Sequence, residues 1–209
     1  ETLYDKNIKG SLLGVLDKTK TAMGARLIKK MLREPLNDAE KINDRLDAVE
    51  EIYLDPLLEN DLVESLKKIY DFERLAARIA TGTANGKDLI ALRNSIAVLP
   101  NIKADLSSTG SNLLKDIHDG ISNLEDIADL ITESISENAG FTIKEGGLII
   151  DGYSEDLDNL KASIKDAKAW IAGLEAHERE RTGIKTLKVG YNKVFGYYID
   201  VTRANSDLV

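Results

Sequence analysis

The chain has 209 residues, 43% apolar and 31% charged, a balance that can bury a core and excludes a disordered chain. Its 28 Lys and Arg against 36 Asp and Glu leave a net charge of −8, which excludes a wholly basic nucleic-acid coat but not a local basic patch. The absence of cysteine removes disulfides, thiol nucleophiles and thiolate metal sites, and the wide separation of His118 and His177 argues against a histidine cluster or triad.

Most of the chain carries the helical period. Residues 11–17 make a short apolar stretch. Thr21 then opens a helix to about Arg33, which stops because Glu34 precedes Pro35. Asn37 with Glu40 three residues on has the form of a capping box, and behind it Ile42, Leu46, Val49 and Tyr53 make the helical face. Asp55 followed by Pro56 starts another helix, with Leu62, Leu66 and Ile69 on its face. Further helices fit about 71–80, 87–99, 111–118 and 122–135. In the second of these, Leu89, Leu92, Ile96 and Leu99 form one stripe, ended by Pro100.

After Gly140 the period changes. Residues 141–150 read as two short strands around Gly146-Gly147. From about Ser154 to Arg181 runs the longest helical pattern, about 40 Å at 1.5 Å per residue. Its apolar residues Leu157, Leu160, Ile164, Ala167, Ile171 and Leu174 form a narrow heptad seam, which needs a covering helix. An earlier helix of this chain or sequence beyond Val209 could supply it. Residues 186–191 and 195–202, rich in aromatic and β-branched residues, predict a hairpin turning near Asn192-Lys193.

The charge is uneven. Arg181 to Arg203 holds five basic residues and one acid, so this window is +4 and the remainder −12. It also holds Tyr191, Phe195, Tyr197 and Tyr198, four of the chain's eleven aromatics. A basic, aromatic β-tip suits contact with phosphates; a solvated hairpin with its aromatics packed inward suits the same composition.

No catalytic motif emerges. Gly82-Thr83-Ala84-Asn85-Gly86-Lys87-Asp88 resembles a phosphate loop only loosely: the first glycine is one residue too close, and Asp88 stands where a Mg²⁺-binding Ser or Thr belongs. A helix–helix turn, with Asn85 or Gly86 opening the next helix, fits better. Glu178-Arg179-Glu180-Arg181 reads either as surface pairing or as a joint between rod and tip, Trp170 as packing, and His177 as a surface or hydrogen-bond-satisfied residue and not a ligand. No apolar run approaches the ~20 residues of a membrane span, and no signal peptide is visible. Glu1 in place of Met, and Val209 close behind a strand-like run, give both ends the look of cuts in a longer protein.

RTGIKTLKVGYNKVFGYYIDVTRAN (181–205) resembles the entry into the clamp of the MutS family of DNA mismatch-repair ATPases. LDKTKTAMGARLIKKMLREPL (16–36) is similar to the start of that family's central helical domain. RLDAVEEI (45–52), DFERLAARIATGTANGKDLIALR (71–93), EGGLIIDGYSEDLDNL (145–160) and LEAHERERTG (174–183) follow in the family's order. The resemblance covers essentially the whole chain. It implies a mainly α fold: a multi-helix core over 1–153 with a small β-hairpin near 141–150, a lever helix over 154–183, and the truncated β start of a clamp over 184–209. It also implies an intact protein that binds mismatched double-stranded DNA, holds ATP and Mg²⁺ in another domain, dimerises with itself, works with mismatch-repair partner proteins and is cytoplasmic, with no membrane role. This piece would carry no ATPase of its own. Lys185, Lys188, Lys193 and Arg203, with Asn192 as a neutral donor, are the candidates for the DNA backbone. Strand alternation forbids all of them from sharing one side. The alternative is a helical scaffold that binds protein and not DNA.

Overall fold

The computed structural model describes residues 10–140, 142–194 and 196–208. Among them it is mainly helical, with a two-stranded antiparallel hairpin near the C-terminus. The chain divides into two compact units, up to Ile150 and from Asp151 onward.

In the first unit the helices are α1 (Leu12–Leu16), α2 (Ala22–Arg33), α3 (Ala39–Leu54), α4 (Pro56–Leu66), α5 (Phe72–Ala80), α6 (Gly86–Ile96), α7 (Leu99–Leu106), α8 (Asn112–Gly120) and α9 (Glu125–Ser134). Short polar side chains start most of them: Ser11, Thr21, Asp55, Asp71 and Ser111 each accept a backbone N–H of the first turn. At α3 the cap is Asp38, not Asn37; its carboxylate accepts the N–H groups of Glu40 and Lys41. Pro100 does not end a helix either. The preceding helix stops at Ile96, and Pro100 sits in the first turn of α7, where its missing N–H costs nothing.

Two apolar clusters form. Ala48, Val98, Ile102, Leu106 and Leu114 are buried together, with Leu62, Leu66 and Ile69 packed against them as their spacing predicts. Ile131, Ile135 and Ala139 form the second, against Leu89, Ile90 and Leu92 of α6. The α3 stripe is reversed from expectation. Ala48 and Ile52 face the first cluster, whereas Ile42, Leu46, Val49 and Tyr53 are exposed.

The two strands expected over 141–150 are replaced by a 3-10 turn, Ile143–Glu145, followed by Gly146 and Gly147, both at positive φ. This segment pairs with the end of α9 and not with itself. Ile149 bridges Ile135, with the N–H of Ser136 donating to Leu148 O and that of Ile150 to Ser134 O. Phe141 lies outside the described residues.

Ionic pins join distant stretches of this unit. Arg26 grips Asp71 and Glu73, Arg93 pairs with Glu137, and Glu51 accepts the N–H groups of Gly110 and Ser111 at the start of α8. Ser95, wholly buried, accepts the N–H of Tyr70 and donates to Ala91 O.

The second unit is α10 (Glu155–Thr182) followed by β1 (Lys188–Asn192) and β2 (Gly196–Asp200), with a final 3-10 turn, Arg203–Leu208. Ser154 caps α10, and Gly183 ends it in the left-handed conformation at φ 71°. No helix among the described residues is long and apolar enough to cross a membrane.

Candidate nucleic-acid interface

The hairpin register is Lys188 opposite Asp200, Val189 opposite Ile199, Gly190 opposite Tyr198, Tyr191 opposite Tyr197, and Asn192 opposite Gly196. Cross-strand partners share a face, and successive residues alternate. One face therefore carries Lys188, Asn192, Tyr198 and Asp200, and the other carries Val189, Ile199, Tyr191 and Tyr197. Val189, Tyr197 and Ile199 of the second face, with the Tyr198 ring and with Trp170, Ile171 and Leu174 of α10, line a groove of about 320 Å³. Lys193 and Val194 turn the chain after β1, and Gly196 opens β2 at φ 77°. The backbone N–H of Val194 donates to Asn192 Oδ1 at 2.7 Å, so this side chain shapes the turn and offers only its amide N–H outward.

The five candidates are thus divided. Lys188 and Asn192 stand on the outer face, Lys193 in the turn, Lys185 in the link between α10 and β1, and Arg203 in the 3-10 turn after β2. All five are exposed. Lys185, Lys188 and Lys193 have no carboxylate within ion-pair distance among the described residues. Asn205 ties the segment around Arg203 back to Thr186, donating to its hydroxyl at 3.3 Å.

The aromatics are not packed inward. Tyr191, Tyr197 and Tyr198 are about half exposed or more, the first two with ring centroids 5.0 Å apart. Trp170, expected as packing, is 67% exposed. The ring of Tyr198 lies across Gly190, where an added Cβ would come within 2.7 Å of it. Phe195 lies outside the described residues.

The joint between helix and hairpin rests on two residues. Glu175 accepts the N–H of Val189 at 3.0 Å and pairs with Arg179 at 2.7 Å; Arg179 Nε donates to Leu187 O at 2.7 Å. Ile184 and Leu187 are buried beside this network. Sequence reasoning offers Arg179 as one of four joint residues and misses Glu175. The available signal is the Glu-to-Arg i,i+4 spacing one turn before Gly183. Arg181 pairs with Glu178 in an exposed ion pair.

Residues 82–88 do not fit a nucleotide. Asn85 caps α6 and exchanges hydrogen bonds with Asp88, whose carboxylate also pairs with Arg78. A carboxylate therefore occupies the position where a phosphate would need donors. Among the described residues no group of three or more His, Asp or Glu is arranged to hold a metal.

The sequence profile of MutS domain III matches residues 1–205. The chain is 51% identical over 208 residues to the DNA mismatch repair protein MutS of Alkaliphilus oremlandii, covering 100% of this chain and 24% of that protein. It is 50% identical over 209 residues to that of Desulforamulus reducens (100% and 24%) and 49% over 205 to that of Clostridium perfringens (98% and 22%). The chain thus spans about a quarter of the length of these relatives. The profile match and the end-to-end alignment agree: the chain belongs to the MutS domain III family.

Proposed function

We propose that this chain is the core, lever and first part of the clamp of a DNA mismatch-repair protein. Residues 1–153 serve as the core, 154–183 as the lever and 184–209 as the clamp entry. The intact protein recognises mismatched double-stranded DNA as a homodimer, engages mismatch-repair partner proteins and works in the cytoplasm. It binds ATP and Mg²⁺ in a domain outside this chain, which itself hydrolyses nothing. The clamp entry touches phosphates without reading bases. Lys185, Lys188, Lys193 and Arg203 supply charge there, and Asn192 supplies an amide N–H. The lever passes the nucleotide state to the clamp as a rigid element.

One observation carries this reading: an exposed hairpin, whose lysines meet no carboxylate among the described residues, is fastened to the end of a 28-residue helix through Glu175 and Arg179. Lys188→Ala with Lys193→Ala in the intact protein should weaken matched and mismatched duplexes alike. The salt dependence of binding should flatten by up to about 0.9 in log–log slope for each phosphate that is no longer neutralised. An unchanged slope removes these residues from the interface.

The exposed α3 stripe, Ile42, Leu46, Val49 and Tyr53, favours a second reading, a scaffold that binds protein only. It predicts that the intact protein keeps its DNA affinity when the hairpin lysines are replaced but fails to hold a protein partner when Leu46 and Val49 become polar.

A further inference from the structure

Asn85 is the only asparagine of this chain followed by glycine. With no Cβ on the follower, the backbone nitrogen of Gly86 is sterically free to attack the side-chain carbonyl carbon of Asn85. That nitrogen is also uncommitted. Gly86 is the first residue of α6, where the helix supplies no acceptor, and its N–H donates to nothing among the described residues. The two Asp-Gly pairs, which could close the same ring, are blocked. Gly120 lies within the hydrogen-bond ladder of α8, and the N–H of Gly152 donates to Asp158 Oδ2 at 2.7 Å.

Packing keeps the glycine in place, since a Cβ at this position would run into Ala139 Cβ and come to 2.6 Å from Leu148 Cδ1. Capping holds the asparagine still. Asn85 Oδ1 accepts the N–H of Asp88 at 3.0 Å, and Asp88 Oδ2 accepts the N–H of Asn85 at 2.8 Å. Arg78 clasps Asp88 Oδ1 at 3.0 Å and also donates to Thr83 O. Ring closure needs Asn85 Cγ almost eclipsed with its own backbone carbonyl carbon, away from every staggered rotamer. The cap bond from Asp88 must therefore break first.

We propose that Asn85-Gly86 is a self-modifying site, at which solvent water alone converts Asn85 to aspartate and isoaspartate at a rate set by the cap with Asp88 and its clasp by Arg78. The Gly86 nitrogen gives up its proton and bonds to Asn85 Cγ. The Cγ–Nδ2 bond breaks, and Nδ2 leaves as ammonia with that proton. Water then opens the five-membered imide at either carbonyl, and nothing is oxidised or reduced. Aspartate still caps α6 and sets its charge at the positive end of the helix dipole. Isoaspartate adds one carbon to the backbone before Gly86, which shifts the start of α6 against Ala139 and Leu148 and loosens the second apolar cluster. The site is independent of the DNA-clamp reading above.

The test holds the intact protein for weeks at mildly alkaline pH and follows conversion at each asparagine by peptide mass spectrometry. Asn85 should convert faster than any other asparagine of this chain. Asp88→Ala should speed it roughly fivefold, the gain in open state that loss of a typical cap contact implies. Arg78→Gln, which leaves the cap itself intact, should speed it by a smaller factor. Another asparagine of this chain converting first, or an Asp88→Ala rate equal to the parent's, overturns the proposal. Asn94, inside α6, is the control for folding. Its rate should not change in either variant, and acceleration there equal to that at Asn85 would make general unfolding the gate and overturn the role of the cap. Freshly made Asn85→Asp should keep the parent's urea midpoint, whereas the isoaspartate fraction of aged protein should unfold at lower urea. Equal midpoints would overturn the loosening of α6.

Discussion

Two glycines of one loop show how differently the same residue can be required. Gly82 has φ 66° and open space around it, so its need is conformational. Gly86, the first residue of α6, would drive a Cβ into Ala139 Cβ and to 2.6 Å from Leu148 Cδ1. Gly86→Ala should therefore destabilise the chain by about 1–3 kcal/mol despite alanine's better helix propensity. Urea unfolding of the chain measures this; a stabilised variant would mean that the Ala139 and Leu148 segment yields freely. The sequence announces a turn there, and Asn85 with Asp88 names the cap. It cannot announce the packing requirement, because Ala139 lies 53 positions away and arrives with the packing of α9 against α6, and Leu148 with the bridge of Ile149 to Ile135. The tip residues share this limit. Lys188 and Lys193 are legible as basic residues on a hairpin, but the diversion of the Asn192 carbonyl into the turn depends on backbone conformation that spacing does not encode.

At the level of elements, polar caps and Pro56 locate helix starts to within a residue or so, since those signals act over a single turn, whereas Pro100, read as a stop, opens α7. Faces are less legible. The period of α3 is genuine, yet its apolar stripe points to water while Ala48 and Ile52 take the core. Periodicity identifies a stripe and says nothing about when its neighbour is present. The hairpin is legible from β-branched and aromatic residues; its fastening is not, because Glu175 looks like any helix carboxylate until Val189 is placed above it. Glu175→Ala should release β1 from α10, removing a charge-assisted bond of about 1.5–3 kcal/mol. Hydrogen exchange of residues 187–199 should quicken at least tenfold while residues 25–33 of α2 stay unchanged. Equal exchange in parent and variant would assign the joint to Ile184 and Leu187 alone.

For the molecule as a whole, the helical unit depends on carboxylates that staple remote segments. Backbone N–H groups of Gly110 and Ser111 lower the pKa of Glu51; Arg26 lowers that of Asp71; Arg93 lowers that of Glu137. A depressed pKa stabilises the fold only while the group is ionised, so this contribution is complete above the ordinary carboxylate range and disappears as the pH drops through the lower folded values. The melting temperature should stay level from pH 7 to about 5 and fall steadily below about 4. Circular dichroism melts across that range provide the check, and a flat profile to pH 3 would leave the staples without energetic weight.

The ends of α10 carry their own compensation. Glu155, Asp156 and Asp158 sit in its first turn, Arg179 and Arg181 in its last, each opposite in sign to the local end of the peptide dipole. Such a rod is wound before anything lies along it. A neighbour then meets a finished track rather than a coil, and the ordering entropy of docking falls on the newcomer alone.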